Sequence, residues 1–180
     1  TALRRNMNMT YIVMDNQIYG LTKGQTSPSS AKGFVTKSTP KGNIEKNVAP
    51  LELALSSGAT FVAQGFSSDI KALTKMIEDA IHHDGFSFVN VFSPCVTYNK
   101  VNTYDWFKEH LTSIDDIEGY DITDKQLAMK TVLDHESLVK GIVYQDTTTP
   151  SYESQISELE HEALAKRDIH ITEETFNDLT

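Results

Sequence analysis

Short apolar runs alternate with polar segments along most of the chain. The runs at residues 8–14, 60–64, 86–92 and 138–144 are rich in β-branched and aromatic side chains and are bounded by turn-forming residues, so they predict β-strands. Over residues 69–84, apolar side chains instead recur at spacings of three and four, which predicts an amphipathic helix. The hydrophobic pattern therefore switches between a strand period and a helical one.

Further helices are predicted between these strands. Pro50 is favoured in a first helical turn and Gly58 just past a helix end, so together they bracket a short helix. Residues 104–111 and 124–136 also read as helices from their apolar spacing. Strands that alternate with helices are typical of a parallel sheet with crossover connections. We therefore predict an α/β fold with a mostly parallel sheet.

One domain accounts for most of the sequence. The 180 residues, of which 39% are hydrophobic, are enough to bury one sizeable core. We expect an α/β domain at residues 1–150, followed at residues 151–180 by a helical or mobile tail that is helix-prone and then acidic.

The charge balance narrows the classes of partner. The formal net charge is −9, from 16 lysines and arginines against 25 aspartates and glutamates. Because non-specific binding to nucleic acid depends on basic surface, we expect no nucleic-acid partner. No apolar run approaches the length that crosses a bilayer and no charged-then-apolar leader opens the sequence, so we expect a cytoplasmic protein with no membrane contact.

The polar loop after the first predicted strand carries the most informative chemistry. Asp15, Asn16, Gly20 and Gly24 break the apolar pattern there. Because open parallel sheets hold their ligands beyond the carboxyl ends of strands, this loop is a candidate binding site. Asn16 offers a neutral oxygen of the kind that Mg²⁺ accepts, and a main-chain carbonyl of a tight turn can supply another. The alternative is an ordinary turn in which the asparagine side chain bonds the backbone.

The single cysteine has two interpretations. Cys95 follows the predicted strand at residues 86–92, in the segment Ser93-Pro94-Cys95-Val96-Thr97-Tyr98-Asn99. It cannot form an internal disulfide, and a lone cysteine is commonly a small buried hydrophobe. A reactive thiol would need an activating neighbour, and no histidine is close to it in sequence.

Two other polar segments have more than one interpretation. Residues 26–47 show no helical or strand period, so we expect a long loop of the kind that forms a binding surface or is mobile. Its lysines are either solvated surface or contacts for phosphate groups: Lys32, Lys37, Lys41 and Lys46. The adjacent His82 and His83 are expected to complement the negative end of the preceding helix or to face water.

The loop after the first strand resembles a known motif. The run Asp15-Asn16-x-x-Tyr19-Gly20-Leu21-Thr22-x-Gly24-Gln25 is similar to the second half of the thiamine diphosphate motif in β subunits of 2-oxoacid:ferredoxin oxidoreductases. In that family a Gly-Asp-Gly segment lies upstream, and its Asp binds Mg²⁺ together with the later Asn and a carbonyl two residues beyond. That segment is absent here, so we expect the later part of a longer subunit, a thiamine diphosphate-binding (diphosphate module) fold incomplete at its N-terminus.

The resemblance implies a role for each residue of the motif. Mg²⁺ is assigned to Asn16 and to the carbonyl of Ile18. Lys23 is assigned a catalytic role, in contact with a substrate carboxylate or coenzyme A. The cofactor-binding residues it implies are Asn16, Ile18, Tyr19, Gly20, Leu21 and Thr22.

The cysteine segment carries the second half of the resemblance. It is similar to the place where these β subunits supply the fourth thiolate to a four-iron, four-sulfur (4Fe-4S) cluster, which implies that Cys95 is an iron–sulfur ligand. Such a cubane is normally held by four cysteines, and in the family the others lie earlier in the subunit. The resemblance extends from Asn8 to Asn99 and more loosely to Tyr144.

The implied activity is oxidative decarboxylation of a 2-oxoacid, 2-oxoglutarate or pyruvate, to an acyl-CoA and CO₂. Thiamine diphosphate, Mg²⁺ and the 4Fe-4S cluster are the implied cofactors and coenzyme A the co-substrate. Ferredoxin would carry away the electrons, and an α subunit would complete the cofactor site. Two alternatives stay open: a thiamine diphosphate-dependent decarboxylase or carboligase without redox chemistry, in which Cys95 is only a core residue, and a non-catalytic fragment.

Overall fold

The computed structural model describes residues 1–159 and 164–166 of the chain. It contains a five-stranded sheet in the order β1-β3-β2-β5-β4. β1, β3 and β2 run parallel to one another, β5 is antiparallel to β2, and β4 is parallel to β5. The strands are β1 (Met9–Asp15), β2 (Phe61–Phe66), β3 (Phe86–Phe92), β4 (Thr112–Ser113) and β5 (Val139–Gln145). The predicted α/β class with a mostly parallel sheet is confirmed.

Helices connect and cover these strands. They are α1 (Ala2–Arg5), α2 (Pro50–Ser56), α3 (Ile70–His82), α4 (Tyr104–His110) and α5 (Lys125–Asp134). Asp69 and Asp124 cap α3 and α5, since their side chains accept main-chain hydrogen bonds from the first turns. Within the described part of the chain, none of the helices has the length and hydropathy needed to cross a membrane.

The sheet is covered on both faces. α2 and α5 pack on one face, against Val62 and Phe88 among others, and α3 packs on the other face, against Phe61 and Val89. Because successive strand residues point to opposite faces, β2 and β3 are buried along their whole length. This double burial explains why their sequences are almost continuously apolar.

β1 lies at the edge of the sheet and is more exposed than its neighbours. Met14 is 75% and Tyr11 53% exposed, and β1 pairs only with β3 among the strands that the structure describes. The outer side of β1 therefore lines open space, and its carboxyl end leads directly into the predicted binding loop.

The structure also differs from the sequence predictions in places. α1 and β4 were not predicted, because each is too short to show a hydrophobic period. The prediction for His83, that it faces water or complements the helix end, was wrong, since its side chain is buried and its Nε2 lies 2.7 Å from the Thr60 hydroxyl.

Two further predictions concern the long loop and the C-terminal tail. Residues 26–47 contain no helix or strand, as predicted. The predicted tail lies partly outside the described residues, and its described part contains only short 3₁₀ turns: Glu153–Gln155, Ser157–Leu159 and Leu164–Lys166.

Candidate functional site

The loops that follow β1 and β3 begin side by side at one edge of the sheet. Asp15 pairs with Phe92 in the parallel register, and the Ser93 N–H donates to the Asp15 carbonyl at 2.8 Å. The carboxyl ends of parallel strands meet at one edge, where α/β folds place ligands. The fold thus brings together the polar loop and the cysteine segment, which are far apart in sequence.

Two side chains fold the chain sharply after β1. The Asp15 carboxylate accepts hydrogen bonds from the Gln17 N–H at 2.9 Å and the Ser29 hydroxyl at 2.6 Å. The Asn16 amide oxygen accepts one from the Ile18 N–H at 3.0 Å. These are the local turn bonds that the ordinary-turn alternative predicts. They leave the Asn16 oxygen a second lone pair, so turn formation and metal binding are compatible.

Asp15 is a site residue whose role sequence reasoning missed. Its side chain is buried, and burial raises the pKa of its carboxyl above the ordinary 3.8, although the bonds from Ser29 and Gln17 oppose that rise. Its contact with Ser29 ties the long loop at residues 26–47 to the end of β1. No sequence signal identifies this pairing, because the two residues belong to different segments.

The main-chain carbonyl of Ile18 is open. The Gln17 carbonyl accepts a bond from the Ser30 hydroxyl at 2.7 Å, and the Tyr19 carbonyl accepts one from the Gly24 N–H at 2.9 Å. The carbonyl of Ile18, between them, accepts no hydrogen bond from any residue in the described part of the chain. An uncommitted carbonyl and an amide oxygen two residues apart in one turn are the kinds of ligand that Mg²⁺ accepts.

Main-chain N–H groups without an acceptor among the described residues follow the Ile18 carbonyl in the turn. The main-chain N–H groups of Gly20, Leu21 and Thr22 donate to none of the residues that the structure describes. Leu21 is 99% exposed, so its backbone faces the surroundings rather than the core. Consecutive free N–H groups in a turn are suited to binding anionic oxygens such as those of a phosphate.

A cleft of about 770 Å³ lies along these groups. Its apolar wall is formed by β1 and the start of α2, including Val13, Pro50 and Leu53. Its other wall contains every residue predicted to bind the cofactor: Asn16, Ile18, Tyr19, Gly20, Leu21 and Thr22. Lys23 does not line the cleft; it is exposed and takes part in none of the ion pairs among the described residues.

The cysteine segment packs directly against this turn. Cys95 is free and half-buried, and a Cβ placed on Gly20 would lie 3.2 Å from its sulfur. Asn99 is 1% exposed, and its side-chain N–H donates to the Asn16 carbonyl at 3.4 Å. The structure therefore places the predicted thiolate position against Gly20 of the predicted cofactor-binding run, and it adds Asn99, which sequence reasoning quoted but did not assign.

The loop at residues 26–47 is ordered by its own hydroxyl groups. The Thr26 hydroxyl lies 2.7 Å from those of both Thr36 and Thr39. The lysines of this loop are exposed, and Lys37 places its ammonium 5.7 Å from the centre of the Tyr98 ring. The two interpretations of these lysines, solvated surface or phosphate contact, both remain compatible with this arrangement.

No conventional metal cluster competes with the turn. Within the described residues, no group of three or more histidine, cysteine, aspartate or glutamate side chains is arranged to hold a metal ion. Among these residues, the ligands available to a metal at this edge are therefore the amide and carbonyl oxygens of the turn.

Comparison with known protein families divides the chain into adjoining segments. Residues 1–91 match the family model described as thiamine pyrophosphate enzyme, C-terminal TPP binding domain. Residues 95–161 match the model for the C-terminal region of the pyruvate ferredoxin oxidoreductase β chain. The first match contains the turn after β1, and the second begins at Cys95.

Individual relatives agree with the family models. A 2-oxoacid:ferredoxin oxidoreductase subunit beta of a Sulfolobus species is 40% identical over 165 residues, which cover 86% of this chain and 54% of that protein. The 2-oxoglutarate oxidoreductase subunit KorB of Mycobacterium tuberculosis is 46% identical over 98 residues, 54% of this chain and 26% of that protein. The chain thus spans about half the length of the first of these relatives and less of the second.

A solved structure extends the likeness to three dimensions. It is a 2-oxoglutarate:ferredoxin oxidoreductase from Magnetococcus marinus with 2-oxoglutarate, coenzyme A and succinyl-CoA bound. Its TM-score is 0.85 at 33% identity, over 99% of this chain and 60% of that one. By sequence, family model and fold, this chain belongs to the β subunits of the 2-oxoacid:ferredoxin oxidoreductases, whose C-terminal, thiamine pyrophosphate-binding part it matches.

Proposed function

We propose that this chain contributes the diphosphate-binding half of a thiamine diphosphate site in an enzyme that oxidatively decarboxylates a 2-oxoacid. The products would be an acyl-CoA and CO₂, with electrons passed to ferredoxin. The names of its relatives and the ligands of the Magnetococcus marinus structure support this activity. The observation that carries the proposal is the open Ile18 carbonyl beside the Asn16 amide oxygen and the free N–H groups that follow.

The turn fits Mg²⁺ and a diphosphate in its donor chemistry. Asn16 and Ile18 would supply neutral oxygens to the metal. The N–H groups of Gly20, Leu21 and Thr22 would donate to phosphate oxygens. Because the Asn16 amide oxygen accepts the Ile18 N–H, this oxygen is held in place before any ligand binds.

Lys23 is our candidate for binding an anionic substrate. Its ammonium is exposed, forms no ion pair among the described residues and lies one position beyond the cleft-lining Thr22. Its φ of 70° is a conformation that side chains other than glycine rarely adopt, a kind of strain that is concentrated at functional sites. A 2-oxoacid carboxylate or a phosphate of coenzyme A would complement it.

Cys95 is our candidate for one thiolate ligand of a 4Fe-4S cluster. Its sulfur faces Gly20 in the turn that follows β1, residues 15–24, which we call the cofactor turn. Electrons would have to leave from this turn. Since these 180 residues contain one cysteine, the other thiolates of a cubane would come from outside them. When bound, thiamine diphosphate supplies an electron sink for decarboxylation, and the cluster accepts electrons one at a time.

We propose an α subunit, ferredoxin, a 2-oxoacid and coenzyme A as partners, in the cytoplasm. An α subunit fits the open, apolar wall of the cleft, which has no cover within the described residues. The basic loop at residues 26–47, in a chain of net charge −9, is a suitable contact for an anionic co-substrate.

The test is anaerobic co-expression of the complete β subunit with its α subunit, followed by coenzyme A-dependent ferredoxin reduction over a panel of 2-oxoacids. We expect reduction with at least one acid, bound thiamine diphosphate, and iron that is lost on Cys95→Ser. Cofactor without iron in the wild type would instead identify a non-redox thiamine enzyme. Neither cofactor nor iron would identify a non-catalytic protein and overturn the proposal.

A further inference from the structure

The loop that carries Cys95 is attached to the cofactor turn at several points. The Ser93 N–H donates to the Asp15 carbonyl at 2.8 Å where the loop starts, and the Asn99 side chain donates to the Asn16 carbonyl at 3.4 Å where it ends. Between them, the sulfur of Cys95 faces Gly20. The two segments are therefore in contact along their length rather than at one end.

Gly20 is the residue of the turn that faces the Cys95 sulfur. A Cβ on Gly20 would lie 3.2 Å from the Cys95 sulfur and 3.8 Å from the Asn16 side-chain nitrogen. Gly20 is not among the glycines with a positive φ, so its backbone conformation does not exclude alanine. The sulfur occupies the room that a side chain would need, and this contact is the feature that disfavours a larger residue.

Asn99 fastens the end of the loop. Its side-chain oxygen accepts bonds from the N–H groups of Val101 at 3.1 Å and Asn102 at 2.9 Å, which shapes the loop itself. Its side-chain nitrogen donates to the carbonyl of Asn16 and, at 3.5 Å, to the amide oxygen of Asn102. The oxygen thus maintains the loop, and the nitrogen connects the loop to the turn.

We propose that Gly20 and Asn99 are positioning residues that hold the Cys95 loop (residues 93–99) against the cofactor turn. Displacing or removing the Cys95 sulfur would then alter the affinity of the turn for Mg²⁺ and thiamine diphosphate. This inference rests on the proposed function of the turn. Closely packed segments transmit displacements because neither has room to absorb them. The coupling is reciprocal, so binding of the cofactor at the turn also changes the position of the Cys95 sulfur.

A double-mutant cycle between Gly20 and Cys95 tests the contact. The variants Gly20→Ala, Cys95→Ala and the pair are made in the assembled complex, and the apparent Kd for thiamine diphosphate with Mg²⁺ is measured from intrinsic fluorescence. We expect Gly20→Ala to raise the Kd about tenfold, and to raise it less than about twofold when Cys95→Ala has already removed the sulfur. This rescue is specific to the proposed contact, because a general packing defect would persist without the sulfur.

Asn99 supplies a second, independent arm. Asn99→Asp keeps the oxygen that shapes the loop and removes the N–H that reaches Asn16, and we expect the Kd to rise about fivefold. Asn102→Asp is the matched control, since it adds the same charge to the same loop and keeps the acceptor for Asn99. We expect it to change the Kd by less than about twofold.

The possible outcomes separate this inference from the proposed function. Wild-type binding of the cofactor, with effects of Gly20→Ala and Cys95→Ala that simply multiply, overturns the positioning roles and leaves the function intact. Equal effects of Asn99→Asp and Asn102→Asp overturn the role of Asn99. A wild-type complex that binds no thiamine diphosphate overturns both the proposed function and this inference.

Discussion

Buried polar groups lie at both ends of the parallel strands, and the two clusters use their hydrogen-bonding capacity differently. At the amino ends, the Thr60 hydroxyl lies 2.7 Å from the Asn6 amide oxygen, which also accepts the Phe86 N–H at 2.8 Å. The Asn6 side-chain nitrogen donates to the carbonyls of Thr149 and Pro150. These groups are partnered within the chain.

The cluster at the carboxyl ends is only partly closed. Asp15 and Asn16 use their side chains to form the turn, but the carbonyl of Ile18 has no hydrogen-bond donor among the described residues. The N–H groups of the next residues are likewise uncommitted within that part of the chain. Closed networks contribute stability, whereas open groups held in a fixed turn are available to a ligand.

The largest expected effect is a loss of stability in the cluster at the amino ends of the strands. Gly85 has a φ of 133°, and a Cβ there would lie 2.5 Å from the Asn6 side-chain oxygen. We expect Gly85→Ala to lower the free energy of unfolding by roughly 3–5 kcal/mol, because it combines backbone strain with a clash inside a buried network. Urea titration of the assembled protein measures this change.

The control for that variant is Gly119→Ala. Gly119 also has a positive φ, 72°, but nothing lies within 4 Å of its Cβ position. Its cost should therefore be limited to backbone strain, about 1 kcal/mol. Equal losses in the two variants would contradict the view that the Asn6 network is a tightly closed structural unit.

For the cluster at the carboxyl ends of the strands, we expect a large loss of ligand affinity and a small loss of stability. Asn16→Ala removes the amide oxygen that we propose as a metal ligand, and we expect it to weaken binding of thiamine diphosphate with Mg²⁺ about a hundredfold, equivalent to about 2.7 kcal/mol. Without cofactor, its free energy of unfolding should fall by only about 1 kcal/mol, the value of the single turn bond to Ile18. Calorimetric binding and urea titration measure the two quantities separately. A variant that loses stability but retains cofactor affinity would show that Asn16 merely forms a turn.

The sequence predicted much of this edge and little of the opposite one. The strands around the site are apolar over their whole length, and the residues from Asp15 to Gly24 are contiguous, so a local pattern was enough to locate the turn. The amino-end cluster draws Asn6, Thr60 and His83 from three separate segments. No local spacing connects them, and His83 looked like a solvated residue at a helix end.

The same reasoning explains what was missed within the site. The hydrogen bonding of the turn depends on hydroxyl groups that arrive from the long loop, because Ser29 donates to the Asp15 carboxylate and Ser30 to the Gln17 carbonyl. Asn99 lies next to Asn16 only because β1 and β3 pair in register. Such tertiary contacts cannot be read from periodicity, whereas the resemblance to a family motif predicts site residues without explaining their geometry.

The smallest predicted effect is the pH dependence that His83 contributes in the amino-end cluster. Burial lowers the pKa of His83 below its ordinary 6.5, an effect that outweighs the attraction of Asp84 and Asp146 for the charged ring. Folding therefore favours the neutral ring, whose Nε2 lies 2.7 Å from the Thr60 hydroxyl. The free energy of unfolding should be highest above pH 6.5 and should fall as the pH drops from 6.5 through the lower folded-state pKa.

The variant His83→Gln isolates that contribution, since glutamine can still donate to Thr60 but does not titrate. We expect the slope of the free energy of unfolding against pH to flatten below pH 6.5 in this variant. His82→Gln is the control for the substitution itself, because the His82 ring is exposed and its Nδ1 lies 2.8 Å from the Glu78 carbonyl rather than at Thr60. Because the cofactor turn lies at the other end of the strands, neither variant should change the affinity for thiamine diphosphate. A steep slope that survives in His83→Gln would mean that the amino-end cluster does not control this pH dependence.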